Sequence, residues 1–211
     1  MQIQAPTLSK IAASLLLACA AAHASAAGTV VLDTYPTGQD PFGWPSQVFA
    51  DDSGRQDIAV PFTLASATSL QSILTSLDGV GGVTLGILAS QGSTPVGGPW
   101  LYSTHLTDPV MDTALSPTGW TLAAGTYWLA AVADTGFEGQ WQSGTEDYSG
   151  DWAQAGADGW SAVTSTFIGM PAARITVAAA VPEPGSDALL LAGGLLVAAL
   201  ARRKSNARQQ G

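Results

Sequence analysis

Cysteine and basic residues are scarce in this chain of 211 residues. Cys19 is the only cysteine, so the chain can form no internal disulfide bond and no cysteine-based metal cluster. Seven Lys and Arg residues stand against sixteen Asp and Glu, for a net charge of −9. Without a basic stripe to displace counterions, we expect no nucleic-acid partner. Only 11% of residues are charged and 46% are apolar, which excludes a charged, disordered chain.

Motifs for catalysis are equally sparse. His105 is the only histidine between residues 27 and 180, and a Ser-His-Asp triad would need an activated Ser beside it. The sequence contains no Gly-x-Ser-x-Gly motif. Zinc would need three or four nitrogen or sulfur ligands, and one His without a Cys in residues 27–180 cannot provide them. We therefore expect no enzymatic activity. A secreted polysaccharide hydrolase that uses two carboxylates is the alternative.

The N-terminal segment, residues 1–26, is predicted to be a secretory signal helix. Lys10 provides the positive charge, and an apolar run follows it. Ala24 and Ala26 fit the A-x-A cleavage pattern, which makes Ala27 the first mature residue. The expected partners at this end are signal peptidase and the general secretion machinery.

Two alternatives remain for the processing of this segment. Ala22-His23-Ala24 provides a second cleavage pattern. Leu16-Leu17-Ala18-Cys19 is similar to a lipobox, with Leu at a position that prefers smaller side chains, and Cys19 would then carry a lipid. Export is common to all of these interpretations.

A short hydrophobic helix is predicted near the C-terminus. Residues 188–201 are fourteen consecutive apolar or Gly residues. At about 1.5 Å per residue they would span about 21 Å, less than the hydrocarbon core of about 30 Å. The segment 202–208 that follows is basic and begins with Arg202, Arg203 and Lys204. A basic segment should remain in the cytoplasm, which leaves the preceding domain outside.

The segment before this helix gives a more specific signal. Val181-Pro182-Glu183-Pro184 precedes the apolar run and the Arg-rich end. The two prolines keep the chain extended, so that a protease can bind it. In combination, residues 181–211 resemble the PEP-CTERM protein-sorting signal. A single-span anchor with a Pro-rich linker is the alternative.

The resemblance to PEP-CTERM proteins implies a partner and a location. In that family a membrane protease of the exosortase class processes the tail, and the host is typically a Gram-negative bacterium that makes exopolysaccharide. The protein would be anchored transiently in the inner membrane, with its C-terminus in the cytoplasm. It would then reach the cell surface or the extracellular matrix, where association with exopolysaccharide in a biofilm is expected.

The central region, residues 27–180, is predicted to be one acidic domain. Its basic residues are Arg55 and Arg174 alone, against fourteen acidic residues, for a net charge near −12. Such a domain should avoid anionic lipid and nucleic acid. A domain of this length can bury enough surface to fold alone.

Apolar residues in this region alternate with period two, which predicts β-strands. In residues 125–133, the odd-numbered side chains from Tyr127 should point one way and the even-numbered ones from Trp128 the other. A strand through Leu70 should end in a turn at Asp78-Gly79. Other strands are expected at 29–32, 57–62, 82–89, 100–106, 161–168 and 173–177. We predict an all-β fold: a jelly-roll-like antiparallel β-sandwich of about eight to ten strands.

Four segments of this region also resemble the choice-of-anchor domains, in particular type R. They are Val-Leu-Asp-Thr at 31–34, Gln-Asp-Ile-Ala-Val-Pro-Phe-Thr at 56–63, Val-Thr-Leu-Gly-Ile-Leu at 83–88 and Leu-Ala-Ala-Gly-Thr-Tyr-Trp-Leu at 122–129. These domains are exported, β-rich bacterial modules with varied C-terminal anchors. The resemblance implies a fold but no defined activity.

Residues 134–160 hold the candidate binding residues of the domain. A connection this long is unusual in a compact domain, and we expect a hairpin in it around residues 139–143. Exposed aromatic rings could stack on sugars; the candidates are Trp141, Tyr148, Trp152 and Trp160. Clustered oxygens could bind Ca²⁺; the candidates are Asp134, Glu138, Glu146, Asp147 and Asp151. The alternatives are solvated acids and rings that pack in the core, Trp128 and Trp141 above all.

Overall fold

The computed structural model describes residues 28–35, 45–144, 151–164 and 169–179. These ranges form fifteen strands and contain no helix that could span a membrane. The strands are β1 (Thr29–Asp33), β2 (Ser46–Asp51), β3 (Gly54–Leu64), β4 (Thr68–Thr75), β5 (Leu77–Val80), β6 (Gly82–Gln91), β7 (Thr94–Pro95), β8 (Tyr102–Thr107), β9 (Thr113–Leu115), β10 (Thr121–Leu122), β11 (Gly125–Ala133), β12 (Phe137–Trp141), β13 (Asp151–Gly156), β14 (Gly159–Thr164) and β15 (Ala173–Val177). The two predicted terminal helices lie outside the described residues.

The strands form two antiparallel sheets. The smaller sheet has the order β1-β15-β4-β10, and β9 also pairs with β4. The larger sheet has the order β5-β12-β2-β3-β11-β6-β7; in addition β8 pairs with β6, β13 with β3, and β14 with β13. The predicted all-β, antiparallel class is confirmed. The predicted strand count is too low, because strands of two to four residues such as β7, β9 and β10 are too short to show a period of two.

The main core lies between the two sheets. Ile58 of β3 and Leu129 of β11 come from the larger sheet, and Ile73 of β4 and Ile175 of β15 come from the smaller one. All four are 0% exposed and belong to one apolar cluster. The sheets therefore pack face to face as two layers around one core.

A second apolar cluster covers the opposite face of the larger sheet. It consists of Ala59, Leu88, Trp128, Ala130 and Ala153, and Trp100 and Trp160 pack against it. The predicted alternation along β11 is confirmed, since Leu129 lies in the main core whereas Trp128 lies in the second cluster. The central strands of this sheet are therefore buried on both faces.

The predicted turn at Asp78-Gly79 and the predicted hairpin at 139–143 are both wrong. Gly79 lies inside β5 and pairs with Gly139 of β12, and β12 is itself paired with β2 on its other edge. A Cβ added to Gly79 would lie 2.7 Å from the carbonyl oxygen of Glu138 and 2.6 Å from the Phe137 ring. These glycines allow two strands and an aromatic ring to approach closely, which a local pattern does not distinguish from a turn.

Candidate functional site

The described part of the segment 134–160 is largely β-structure. It contains β12, β13 and the start of β14. Residues 145–150 lie outside the described residues, and they include three candidates, Glu146, Asp147 and Tyr148. The remaining candidates are placed by the strands on which they lie.

Two of the candidate glycan-binding rings are core residues. Trp141 is 0% exposed, and its indole Nε1 donates a hydrogen bond to the carbonyl oxygen of Ala172 at 2.9 Å. Trp152 is 3% exposed and lies in the main core. A ring with almost no exposed surface cannot stack on a sugar, so neither ring can contact a glycan. Trp160 is only partly buried.

The candidate calcium ligands in the described ranges do not converge. Asp134 follows β11 and contacts His105, Glu138 lies on β12, and Asp151 on β13 accepts a hydrogen bond from Thr164 Oγ1 at 3.0 Å. Within those ranges, no group of three or more His, Cys, Asp or Glu residues could hold a metal ion.

His105 makes an exposed contact with a carboxylate. Its Nε2 lies 2.8 Å from Oδ2 of Asp134, and the two side chains are 54% and 47% exposed. The backbone N–H of Asp134 donates to the carbonyl oxygen of Gly82, which brings the carboxylate across the edge of β6. Water screens a pair on so open a surface, which limits the energy of this contact.

The larger sheet contains a buried carboxylate that was not among the candidates predicted from the sequence. Asp57 of β3 accepts a hydrogen bond from Nε of Arg55 at 2.6 Å and another from the backbone N–H of Ala133 at 2.9 Å. Burial raises the pKa of Asp57, and the two hydrogen bonds act in the opposite direction. The available signal was the spacing, because residues two apart on a strand share one face.

Arg55 and Trp160 line a shared surface groove of about 340 Å³, here called the Trp160 groove. Its other lining residues are Gln56, Gln154, Ala155, Gly156, Ala157, Asp158, Gly159 and Ser161. The groove lies beside the β13–β14 hairpin and the start of β3. It combines one indole ring with amide, guanidinium, carboxyl and hydroxyl groups.

A second aromatic surface lies on another part of the fold. Trp120 stacks on Tyr102 with ring centroids 5.5 Å apart and an angle of 14° between the planes. Tyr102 donates a hydrogen bond from its hydroxyl group to the carbonyl oxygen of Thr121 at 2.9 Å. Trp120 lines a groove of about 260 Å³, but one face of its ring is occupied by the tyrosine.

Comparison with known proteins identifies the C-terminal segment. The family model for the PEP-CTERM protein-sorting motif matches residues 180–204. The match includes the Pro182-Glu183-Pro184 sequence and the basic residues that follow the apolar run. No curated protein and no solved structure matches the chain. The chain therefore carries a PEP-CTERM sorting motif, which implies an exported protein that an exosortase processes and that its C-terminus anchors transiently.

Proposed function

We propose that this chain is a non-enzymatic protein of the extracellular exopolysaccharide matrix, to which the sorting tail delivers the β-domain. The observation that carries the proposal is the PEP-CTERM motif at residues 180–204, downstream of a domain with a net charge near −12. Such a charge keeps the released domain soluble and away from anionic lipid. The tail thus directs the sorting of the protein, and the domain provides the function in the matrix.

The contacts of the acidic residues support a structural role. Asp33 accepts a hydrogen bond from Nε of Arg174 at 3.0 Å, which joins β1 to β15. Asp57 holds Arg55 and the end of β11. Asp108 accepts from the backbone N–H of Gly81 at 2.7 Å and so connects two loops. These carboxylates stabilise the fold through their contacts, and a catalytic role would compete with that task.

The packing supports durability outside the cell. The predicted mature domain has no cysteine, so packing instead of disulfide bonds must stabilise it. The larger sheet is covered on both faces by apolar clusters. Two covered faces remove apolar surface from water on either side of the sheet, which is the main favourable term in folding.

Cell fractionation of the producing bacterium tests the proposal. The native chain is compared with a variant in which Pro182, Glu183 and Pro184 are all Ala, and Ser186→Ala is the matched control. We expect the native chain and the control in the matrix fraction, and the motif variant in the membrane fraction.

The same strains without exopolysaccharide synthesis provide the second half of the test. We expect the native protein to move from the matrix fraction to the culture medium, because its binding partner is gone. Retention of the native chain in the membrane fraction of both strains would contradict the proposal.

A further inference from the structure

We propose that the Trp160 groove binds a neutral segment of the matrix polysaccharide, with one sugar ring stacked on the Trp160 indole. This inference rests on the proposed matrix function, since it names the component that the domain holds. Among the candidate glycan-binding rings in the described residues, Trp141 and Trp152 are buried, whereas Trp160 is only partly buried.

The groove arises from a row of three residues across three strands. Asp57 of β3 is paired with Ala155 of β13, and Ala155 is paired with Trp160 of β14. Directly paired residues share one face of a sheet, and neighbouring strands lie about 4.8 Å apart. The outer two Cα atoms are thus about 10 Å apart. The methyl group of Ala155 leaves the space between the Trp160 ring and the Arg55–Asp57 pair open.

The Trp160 ring is held in place before any ligand binds. Trp160 packs against the second apolar cluster, which supports the indole from within the sheet. The turn after β7 lies beside it, since an ideal Cβ on Gly97 would be 3.9 Å from Trp160 Cδ1. Trp160 also lines the groove. A ring fixed in this way loses little conformational entropy on binding.

The wall of the groove supplies hydrogen-bonding groups that match sugar hydroxyls. The ion pair with Asp57 uses Nε of Arg55, which leaves the two terminal guanidinium nitrogens as donors. Gln56 donates through Nε2 to the carbonyl oxygen of Gln47 at 2.9 Å, which leaves its Oε1 as an acceptor. Asp158, in the turn of the β13–β14 hairpin, adds a carboxylate acceptor. A planar apolar ring flanked by a few polar groups is the usual form of a polar-ligand site.

The charge of the groove favours a neutral ligand over an acidic one. Arg55 is the only cation that lines it, and the carboxylate of Asp57 already balances that charge. Asp158 adds a negative charge to the wall, and the whole domain carries a net charge near −12. A polyanion would be repelled on approach, whereas hydroxyl groups would find both donors and acceptors.

Binding of the producing strain's exopolysaccharide tests this proposal. The polymer is separated by anion exchange into neutral and acidic fractions, and each is used as a probe in affinity electrophoresis with the mature protein. We expect retardation by the neutral fraction alone. Trp160→Ala should weaken it at least about tenfold, the size expected for the loss of one aromatic stacking contact in a site of this kind. Trp160→Phe should retain part of it.

Two further variants separate binding from folding. Ala155→Val narrows the groove without removing any proposed ligand contact, and it should weaken binding. Trp120→Ala removes a partly exposed ring elsewhere and should leave binding unchanged. Thermal unfolding of each variant shows which ones retain the native fold, and only those are compared.

Three results would overturn the proposal: no retardation by the neutral fraction, retardation by the acidic fraction alone, or full retardation of folded Trp160→Ala. Failure here is distinguishable from failure of the matrix function. A native protein that fractionates with the matrix but does not bind the neutral polymer refutes only the proposed binding in the Trp160 groove. A protein that binds neutral polymer in vitro but stays in the membrane fraction refutes the matrix role alone.

Discussion

The His105 imidazole and the Asp134 carboxylate meet 2.8 Å apart directly above Gly82. A Cβ on Gly82 would lie 2.8 Å from Nε2 of His105 and 2.7 Å from Oδ2 of Asp134. Both obstructing atoms are the ends of exposed side chains, which can move aside. The contact depends on the glycine, but the fold of β6 does not.

Gly82→Ala and Gly79→Ala should therefore differ in their effect on stability. We expect Gly82→Ala to separate the exposed pair and to change the free energy of unfolding by less than about 1 kcal/mol. Gly79→Ala places a Cβ 2.7 Å from backbone atoms of β12, and it should cost about 1–3 kcal/mol or more. Urea denaturation of both variants measures the difference. Equal losses would contradict this account of the two glycines.

Asp57 should make the domain less stable as the pH rises. Burial raises its pKa above the ordinary value of 3.8, so the folded state binds this proton more tightly than the unfolded state does. Its contribution to stability is thus fully present below the unfolded pKa, and it is lost as the pH rises through the folded pKa. Asp57→Asn cannot ionise. Relative to the native chain, the free energy of unfolding of Asp57→Asn should become larger as the pH rises, and the opposite trend would refute the assignment.

Asp51 should show the opposite dependence and serves as the control for Asp57. Hydrogen bonds from the Ser53 hydroxyl and backbone lower the pKa of Asp51 below the ordinary value of 3.8. Its contribution is therefore present above the unfolded pKa, and it is lost as the pH falls through the folded pKa. We expect Asp51→Asn to remove stability at neutral pH and little at low pH. Denaturation curves at several pH values between about 2 and 7 check both signs together.

Trp141 should behave as a core residue. Trp141→Phe removes the hydrogen bond to the carbonyl oxygen of Ala172. That oxygen still accepts a hydrogen bond from the backbone N–H of Ser76 at 3.2 Å, so the loss should cost about 0.5–1.5 kcal/mol. Trp141→Ala should cost about 3–5 kcal/mol through the cavity it leaves. Trp160→Ala should cost much less, because that ring is only partly buried. Chemical denaturation of the three variants ranks them, and an equal cost for Trp160→Ala would make that ring structural.

The parts of the fold that sequence could predict are those with a local signal. The predicted strand at 173–177 matches β15 in both bounds, and the alternation along β11 places its two faces correctly. Successive side chains of a strand point to opposite faces of its sheet, and this alternation with period two is visible in the sequence. The sorting tail is likewise a contiguous motif, and the family match confirms it.

The parts that could not be predicted depend on distant pairing. Whether Gly79 makes a turn or a close contact depends on Gly139, sixty residues further along the chain. Whether a tryptophan is core or surface depends on which layer covers its face: Trp152 and Trp160 lie in one hairpin but face opposite clusters. The groove itself requires the pairing of Asp57, Ala155 and Trp160, which no local pattern contains.

Mass spectrometry of both termini of the protein recovered from its producing bacterium tests the central claim most directly. Export and tail processing predict a mature N-terminus near Ala27 and a C-terminus near Pro184. An intact C-terminal Gly211 in cells with an active exosortase would contradict the claim. It would make the tail a retained membrane anchor, and the β-domain would then act at the cell envelope instead of in the matrix.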